Sequence, residues 1–596
     1  MTSNAAATVA ATVPTVPVDN DDTTALAGGH TRADAELEQT APTNAGESPS
    51  KEAAVGEGDK GGVGKEIQPA ASSKSVRFFA IIVALALSGL LTSLEATITS
   101  TALPTITADL GGADLYIWVV NGFYLTQTAF QPLFGQVANI YGRRWPMITS
   151  TATFTLGSGL CGGARNINML IAGRLIQGIG AGGINVLIEI IICDLLPLRE
   201  RGRYLGIMFG LIALGTSLGP LFGGLIVQHT SWRWVFYLNV PIGGAALVTL
   251  FAFLRVKSDD TSNYMMQLKR IDWLGNVIFV LSMVSILIAL SWSGSQYPWS
   301  SFRVIVPLVM GFAGFGLFVF YEASKYCVNP TMPLHLFSNR TSGTAFGLTF
   351  LHSLSAISVM YFLPVYFQAV LGVTPSRAGV ELLPTILFMI PAAITAGGLL
   401  SKLGRYRPIQ HVGFALMVIG FGLLTLLKAQ ATTAQWVGYQ LASAAGTGLA
   451  LPVLLPAVQA SLTEEDTALS TSTWAFIRSF GLIWGATIPT AAFNNRFNTL
   501  LYRITNPVIA EELADGKAYE RATKSFMDTI TDPVTHAQVV SVYVDSIKTV
   551  WYVSMAFAAL AFLLVIVQKE VPLRKDLDTK FSMEEKAKST KTDPAT

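Results

Sequence analysis

The sequence carries little charge for its length. Charged residues make up 13% of its 596 positions, whereas apolar residues make up 51% and the mean hydropathy is +0.48. A soluble domain normally carries about 25% charged residues. Most of the apolar residues lie in blocks of about twenty, the length that crosses a bilayer as a helix. The low charge therefore argues against a soluble protein with many buried helices and predicts an all-α membrane protein.

The chain also lacks the motifs of several other protein classes. It has no GxxxxGK[ST] phosphate loop, which argues against an ATP-driven pump, and no HExxH pattern. Its net charge of +2 gives no reason to expect a nucleic-acid partner. We expect no enzymatic activity, metal or cofactor. Three cysteines form neither a CxxC pattern nor a disulfide framework: Cys161, Cys193 and Cys327.

The apolar blocks give fourteen candidate transmembrane helices. They begin near residues 77, 117, 145, 168, 205, 234, 274, 303, 343, 379, 409, 435, 471 and 547. The flanking segments 1–75 and 571–596 are rich in small, polar and charged residues, so we expect two disordered tails. Segment 494–546 is predicted to be a long external loop.

Basic residues gather in the loops that follow even-numbered spans. Short cytoplasmic loops carry an excess of Lys and Arg, so we expect this side and both termini to be cytoplasmic. The basic residues in these connections are Arg143, Arg144, Arg199, Arg201, Arg203, Arg255, Lys257, Lys269, Arg270, Lys402, Arg405 and Arg407.

A weak internal repeat predicts two equivalent halves. The turn GQVANIYGRR (135–144) resembles GGLLSKLGRYR (397–407), and RLIQGIGAGG (174–183) is echoed by YQLASAAGTG (439–448). Duplicated halves of this kind place a substrate site near the bilayer midplane, between the two bundles. The predicted units are a six-helix bundle at 76–255, two intervening helices at 256–340 and a second six-helix bundle at 341–570.

Glu95 and Arg174 are the two charges that we single out within apolar spans. A charge at the bilayer centre costs about 2.5–3.5 kcal/mol on insertion scales, so it normally faces a cavity or a partner. In a mostly apolar cavity Glu95 would exchange protons near neutral pH, as a proton-coupled carrier requires. The alternatives are that Glu95 snorkels or pairs permanently with a cation, and that Arg174 is a structural clamp.

Other polar and small residues in the spans have both functional and structural interpretations. Gly215, Gly219 and Gly223 form one small-residue stripe, which suits tight helix packing, and Pro220 beside them predicts a bend. Gly178 and its neighbouring glycines indicate packing. Isolated polar residues could line the cavity or be satisfied by a neighbouring helix: Gln127, Gln131, Glu189, Asp194, His352, Glu381 and Arg478.

Together these motifs resemble those of the fourteen-span drug:H⁺ antiporters of the major facilitator superfamily, especially the fungal exporters of toxins and secondary metabolites. LEATITSTALP (94–104) is similar to the first-span motif, with Glu95 where Asp is usual, and SWRWVFYLNVPIGG (231–244) looks like fungal members. The loop motif GxLaDrxGRR is matched at Gly135, Gly142, Arg143 and Arg144, whereas Asn139 replaces its acid. The antiporter motif is matched at Gly215, Gly219, Pro220, Gly223 and Gly224.

The resemblance implies two bundles that rock around a central cavity. Glu95 would take up a proton from outside as substrate leaves, and Arg174 and Gly178 match a fourth-span motif that the family associates with proton transfer. The Asn139 replacement puts a gating salt bridge from that position in doubt.

We therefore expect proton-coupled efflux of small hydrophobic or amphipathic organic compounds by a monomer in the cell membrane. Its partners would be the substrate, protons and the lipid bilayer. The alternative is a vacuolar or plasma-membrane carrier of a defined nutrient, such as a basic amino acid or a siderophore. A non-transporting sensor would carry a folded signalling tail, which neither end of this sequence resembles.

Overall fold

The computed structural model describes residues 76–110, 115–254, 267–293 and 297–575. These residues are mainly helical, and no β-strand occurs among them. The predicted tail at 1–75, residues 576–596 of the other tail and the loop residues Arg255 and Lys257 lie outside the described residues.

The helices of the first half and the intervening pair are α1 Val76–Leu110, α2 Tyr116–Ala129, α3 Gln131–Tyr141, α4 Arg144–Gly162, α5 Ile167–Leu195, α6 Leu198–His229, α7 Trp234–Tyr237, α8 Asn239–Phe253, α9 Trp273–Trp292 and α10 Phe302–Glu322. Those of the second half are α11 His335–Ser338, α12 Arg340–Val365, α13 Pro375–Leu403, α14 Arg407–Leu424, α15 Thr433–Gln459, α16 Thr467–Leu500, α17 Pro507–Leu513, α18 Lys517–Glu520, α19 Lys524–Met527 and α20 Pro533–Val567. A π-helical turn, Tyr366–Val370, extends α12.

A helix or a pair of consecutive helices lies at each predicted span. Eleven of these are long and apolar enough to cross a membrane. The other three, at residues 116–141, 144–162 and 467–500, are helical but more polar. In α4, for example, the hydroxyl groups of Thr151, Thr155 and Ser158 donate to carbonyls one turn earlier, which satisfies polar groups inside the helix.

The connection before the last helix is shorter than the predicted loop at 494–546. Helix α16 continues to Leu500, and α20 begins at Pro533, directly after its capping residue Asp532. The Asp532 carboxylate accepts hydrogen bonds from the backbone amides of Val534 and Thr535, so polar residues at the start of α20 are held in the helix.

The helices form two bundles with an intervening pair, as predicted. In the first bundle α1 packs along α6 and α4 along α5; in the second, α14 and α13 pack on α15, and α12 packs on α16 and α20. Helices α9 and α10 pack on each other, and α9 also contacts α2 and α16.

The predicted repeat corresponds to equivalent positions in the two bundles. Gly142 and Gly404 end α3 and α13 with positive φ angles of 79° and 67°, which glycine adopts readily. Seven residues earlier in each motif, Gly135 and Gly397 both face the opposite bundle: Gly135 packs on Ser472, and Gly397 packs on the backbone around Gly202.

The bundles make their closest contacts at the end of the helices that carries Arg143, Arg199 and Arg405, here called the basic end. Helix α6 lies against α13 there, and Gly397 is so close to α6 that an added Cβ would lie 2.5 Å from the Cα of Arg203. Helices α3 and α5 contact α16. Small residues thus let the two bundles meet backbone to backbone.

Candidate functional site

Glu95 and Arg174, predicted separately from the sequence, form an ion pair between α1 and α5. Both side chains are fully buried. The Arg174 guanidinium donates from Nη1 to the Glu95 carboxylate, and from Nε to the carbonyl of Val119 on α2, at 2.8 Å. Three helices of the first bundle are thereby tied together at one charged centre.

Polar side chains complete the surroundings of this pair. Asn239, at the start of α8, donates from Nδ2 to the second oxygen of Glu95, and Thr99 donates to the first at 3.4 Å. Arg174 also donates to Gln177, at 2.7 Å, which in turn donates to Ser158 on α4 at 2.7 Å. Buried charges require such partners, because an unpaired one is strongly destabilising.

Aromatic rings enclose the guanidinium. The Cζ atom of Arg174 lies 4.4 Å from the ring centroid of Phe123 and 5.8 Å from that of Phe236. Its second terminal nitrogen, Nη2, is buried and has no hydrogen-bond partner among the described residues. The rings exclude water and offer a cation–π contact, so the charge of Arg174 acts on Glu95 with little screening.

The predicted glycine stripe of α6 lies against α1, the helix that carries Glu95. A Cβ at Gly215, Gly219 or Gly223 would overlap α1, at Ser93, Thr97 and Thr101 respectively. Gly224 faces open space and does not belong to this contact. Helix α6 continues through Pro220.

In the loop motif, Arg143 is the residue that forms an ion pair. This buried side chain donates from Nε to Asp194 at the end of α5, at 2.6 Å, and from Nη1 to the carbonyl of Ala138 at 2.8 Å. Asn139, which replaces the usual acid, lies half-buried in α3. Arg144 donates instead to the carbonyl of Phe251, at 3.0 Å.

Two arginines at the start of α6 join the bundles at the basic end. Arg201 donates to Gln459, at 2.8 Å, and forms an ion pair with Glu464, at 2.8 Å. Arg199 donates to the carbonyls of Ser401 and Lys402 in the last turn of α13. These bonds must break if the bundles are to separate at this end.

A second ion pair crosses between the bundles nearer the middle of the helices. Glu189 on α5 pairs with Arg478 on α16, with a distance of 2.5 Å between Oε1 and Nη2. Beside it, Gln131 donates to Ser479 at 3.1 Å, and no described residue hydrogen-bonds to the buried Oε1 atom of Gln131. The sequence identified both charges but did not indicate that they meet.

The remaining predicted cavity residues do not join the Glu95 cluster. His352 is buried, with Nε2 3.1 Å from the carbonyl of Thr447. Gln127 is half-buried beside Gly182. Glu381 pairs with Arg377 in its own helix, at 3.1 Å.

Sequence reasoning missed Asn239, Gln177 and Glu464. Asn239 is the amide in SWRWVFYLNVPIGG, where it interrupts an otherwise apolar run, and Gln177 lies one turn after Arg174. The sequence positions of Asn239 and Gln177 could therefore have indicated that these two residues belong to the site. Glu464 gave no such signal, because a charged residue in a short loop is ordinary.

Asp272, Glu322 and Cys327 place their ligand atoms within 4.8 Å of one another. Each of these groups forms hydrogen bonds with other groups of the protein. Asp272 caps α9 through Gly275, at 2.9 Å, and accepts from Tyr321 and Cys327. Glu322 accepts from the amides of Thr331 and Met332. This cluster therefore fixes the connection after α10.

The sequence matches the Major Facilitator Superfamily over residues 85–486. The chain belongs to the major facilitator superfamily. Two solved facilitator structures have a similar fold: the human organic anion transporter MFSD10 (TM-score 0.53, 14% identity, 82% of this chain and 99% of that one) and the proton:xylose symporter XylE (TM-score 0.51, 15% identity, 77% and 97%).

Fungal members of the superfamily are much more similar in sequence. The MFS-type transporter gkaD of Penicillium citrinum is 71% identical over 88% of this chain and 90% of its own length. The MFS-type efflux pump LUC4 of a Fusarium species is 46% identical over 87% and 93%. The acurin A biosynthesis cluster transporter of Aspergillus aculeatus is 45% identical over 87% and 94%.

Proposed function

We propose that this facilitator exports small hydrophobic or amphipathic organic compounds of the secondary-metabolite type, in exchange for protons. Its similarity to transporters named as efflux pumps and as members of a biosynthesis cluster supports the export direction and the substrate class. The observation that carries the coupling is the buried Glu95–Arg174 pair. It holds the carboxylate that we expect to exchange protons.

Protonation of Glu95 would remove the negative charge that Arg174 binds and would weaken their pair. Helix α1, which carries Glu95, packs along the glycine stripe of α6. The other end of α6 forms the main contact with the second bundle and carries Arg199 and Arg201. A change at Glu95 can thus reach the interface between the bundles through one continuous helix.

In this proposal the chain spans the membrane fourteen times as a monomer, with the basic end and both termini in the cytoplasm. The bundles comprise residues 76–255 and 341–570, joined by 256–340. Contact at the basic end then corresponds to a conformation closed toward the cytoplasm. We propose the cell membrane as its location.

The experiment is an accumulation assay in pump-deficient yeast, with a panel of toxins and dyes. Export should lower accumulation, and a protonophore should abolish the effect. Glu95→Gln should abolish it while the protein remains at the cell surface. Glu381→Gln is the matched control, because Glu381 is a buried carboxylate paired only within α13. Proton-coupled export by Glu95→Gln at the normal rate would refute the coupling role, and a vacuolar location would favour the nutrient-carrier alternative.

A further inference from the structure

The Glu189–Arg478 pair joins the two bundles part-way along their helices. Glu189 is about 9 Å along the helix axis from the end of α5, and Arg478 is about 16 Å from the start of α16. The pair therefore lies inward of the Arg201–Glu464 contact at the basic end. Glu189 is almost fully buried, with 3% of its side chain exposed, whereas 16% of Arg478 is exposed.

Two aromatic rings from different bundles form a wall beside Arg478. Phe209 on α6 and Trp474 on α16 lie with their ring centroids 5.9 Å apart. The Cζ atom of Arg478 is 5.1 Å from the Phe209 centroid and 4.8 Å from that of Trp474. A planar apolar group that reaches Arg478 would therefore lie against aromatic surface.

In the part of the chain that the structure describes, several polar atoms at this place are buried and have no hydrogen-bond partner. Among them are two N–H donors, Nε of Arg478 and Nε1 of Trp474, and the second oxygen of Glu189. An unsatisfied buried donor costs about 1–3 kcal/mol, so the site favours an occupant that supplies acceptors.

We propose that Arg478 and Trp474 bind the head group of the exported compound through its oxygen acceptors. The compound would carry a carboxylate, enolate or conjugated carbonyl on an apolar body that lies against Phe209. This inference rests on the proposed function and specifies its substrate class. A cationic head group is disfavoured, because Glu189, the carboxylate that it would need, is already neutralised by Arg478.

Glu189 occupies the position of such an acceptor in this conformation. It belongs to the first bundle and Arg478 to the second, so their bond also joins the bundles. When a substrate oxygen accepts a hydrogen bond from Arg478, the bond between Arg478 and Glu189 is replaced by one to the ligand. Substrate binding and separation of the bundles on this side are thereby coupled through one guanidinium.

The test uses three probes that share one aromatic body: 1-naphthaleneacetate, 1-naphthaleneacetamide and 1-naphthylmethylamine. Binding to the purified full-length protein in detergent is followed by thermal stabilisation over a concentration series. The acid and the amide should bind, and the amine should not. Arg478→Gln should weaken binding of the acid at least tenfold. Arg496→Gln, an exposed arginine on the same helix, should leave it unchanged.

A second variant keeps the test decisive if Arg478→Gln does not fold. Glu189→Gln removes the internal competitor and should tighten binding of the acid severalfold. The proposal is wrong if the amine binds as well as the acid, if none of the three probes binds, or if both variants bind the acid as the unmodified protein does.

These results are distinct from failure of the proposed function. In one outcome the protein binds the acid selectively while neither a protonophore nor Glu95→Gln changes its transport. That result would contradict the proton coupling and support this subsite. Proton-coupled export of a cationic dye that is unaffected by Arg478→Gln would support the proton coupling and contradict this subsite.

Discussion

The Arg174 guanidinium and the Glu95 carboxylate are 79 residues apart in the chain and form a fully buried ion pair. A buried pair is not by itself a gain in stability, because desolvation of both charges offsets their attraction. Here α2 and α8 hydrogen-bond to the pair directly, and α4 does so through Gln177. A change in the protonation state of Glu95 would therefore alter the hydrogen bonds of its neighbours.

Asn239→Ala should impair transport without unfolding the protein. The variant removes the hydrogen bond to the second Glu95 oxygen. A hydrogen bond to a charged group contributes about 1.5–3 kcal/mol, so we expect a transport rate at least tenfold lower. Efflux rate per surface-expressed molecule is the measurement. Asn495→Ala, at an exposed position of α16, is the control, and equal rates for both variants would contradict the prediction.

Gly223→Ala and Gly224→Ala should differ sharply although the residues are adjacent. A Cβ at Gly223 overlaps the carbonyl of Ile98 on α1, whereas at Gly224 it meets nothing within 4 Å. We expect the first variant to lower both thermal stability and transport, and the second to change neither. Unfolding temperature in detergent and efflux in cells measure the two effects. Similar behaviour of the two variants would mean that the stripe is not a tight contact.

Gly397→Ala should open the basic end. The added Cβ would lie 2.5 Å from the Cα of Arg203, so α6 and α13 must move apart. In a Cys161→Ser, Cys327→Ser background, buried Cys193 then reports on the opening, because α5 ends near this contact. A membrane-impermeant maleimide applied to inside-out vesicles should label Cys193 severalfold faster.

Gly398→Ala is the matched control for this opening, because a Cβ there meets nothing within 4 Å. Its labelling rate should equal that of the unmodified protein. Unchanged labelling in Gly397→Ala would show that the close approach does not hold the end shut.

Cys327 should react slowly with maleimides at pH 8. Burial, and then the nearby Asp272 carboxylate, raises the pKa of the Cys327 thiol to about 12. The thiolate is the nucleophile, so a raised pKa leaves little reactive form at pH 8, and the rate should climb with pH toward that value. Asp272→Asn keeps a capping residue for α9 but removes the charge, and should accelerate labelling at least threefold. No acceleration would assign the slow reaction to burial alone.

Much of the fold followed from patterns local in the chain. Blocks of apolar residues located the helices, since an apolar block can bury its surface only in lipid or a neighbour. The repeat predicted equivalent halves, and Gly142 and Gly404 at the ends of α3 and α13 correspond. The ends of helices were less predictable, as with α16 and α20, because polar helical turns beyond the bilayer lack a hydrophobic signal.

The candidate site could be predicted only in part. Glu95 and Arg174 were visible because a charge within an apolar block is costly and so needs a reason. The packing of α1, α5 and α8 brings Glu95 and Arg174 together. The same packing places Asn239 and Gln177 around them.

The sequence by itself thus determined that this is a helical membrane protein of duplicated bundles, and that Glu95 and Arg174 lie within its apolar spans. Both properties follow from the cost of placing polar groups in lipid, which each segment pays independently of the others. Only the tertiary structure decided the partners: Glu95 with Arg174, Glu189 with Arg478 and Arg201 with Glu464. Such pairs join residues far apart in the chain, and helix packing alone brings them within hydrogen-bonding distance.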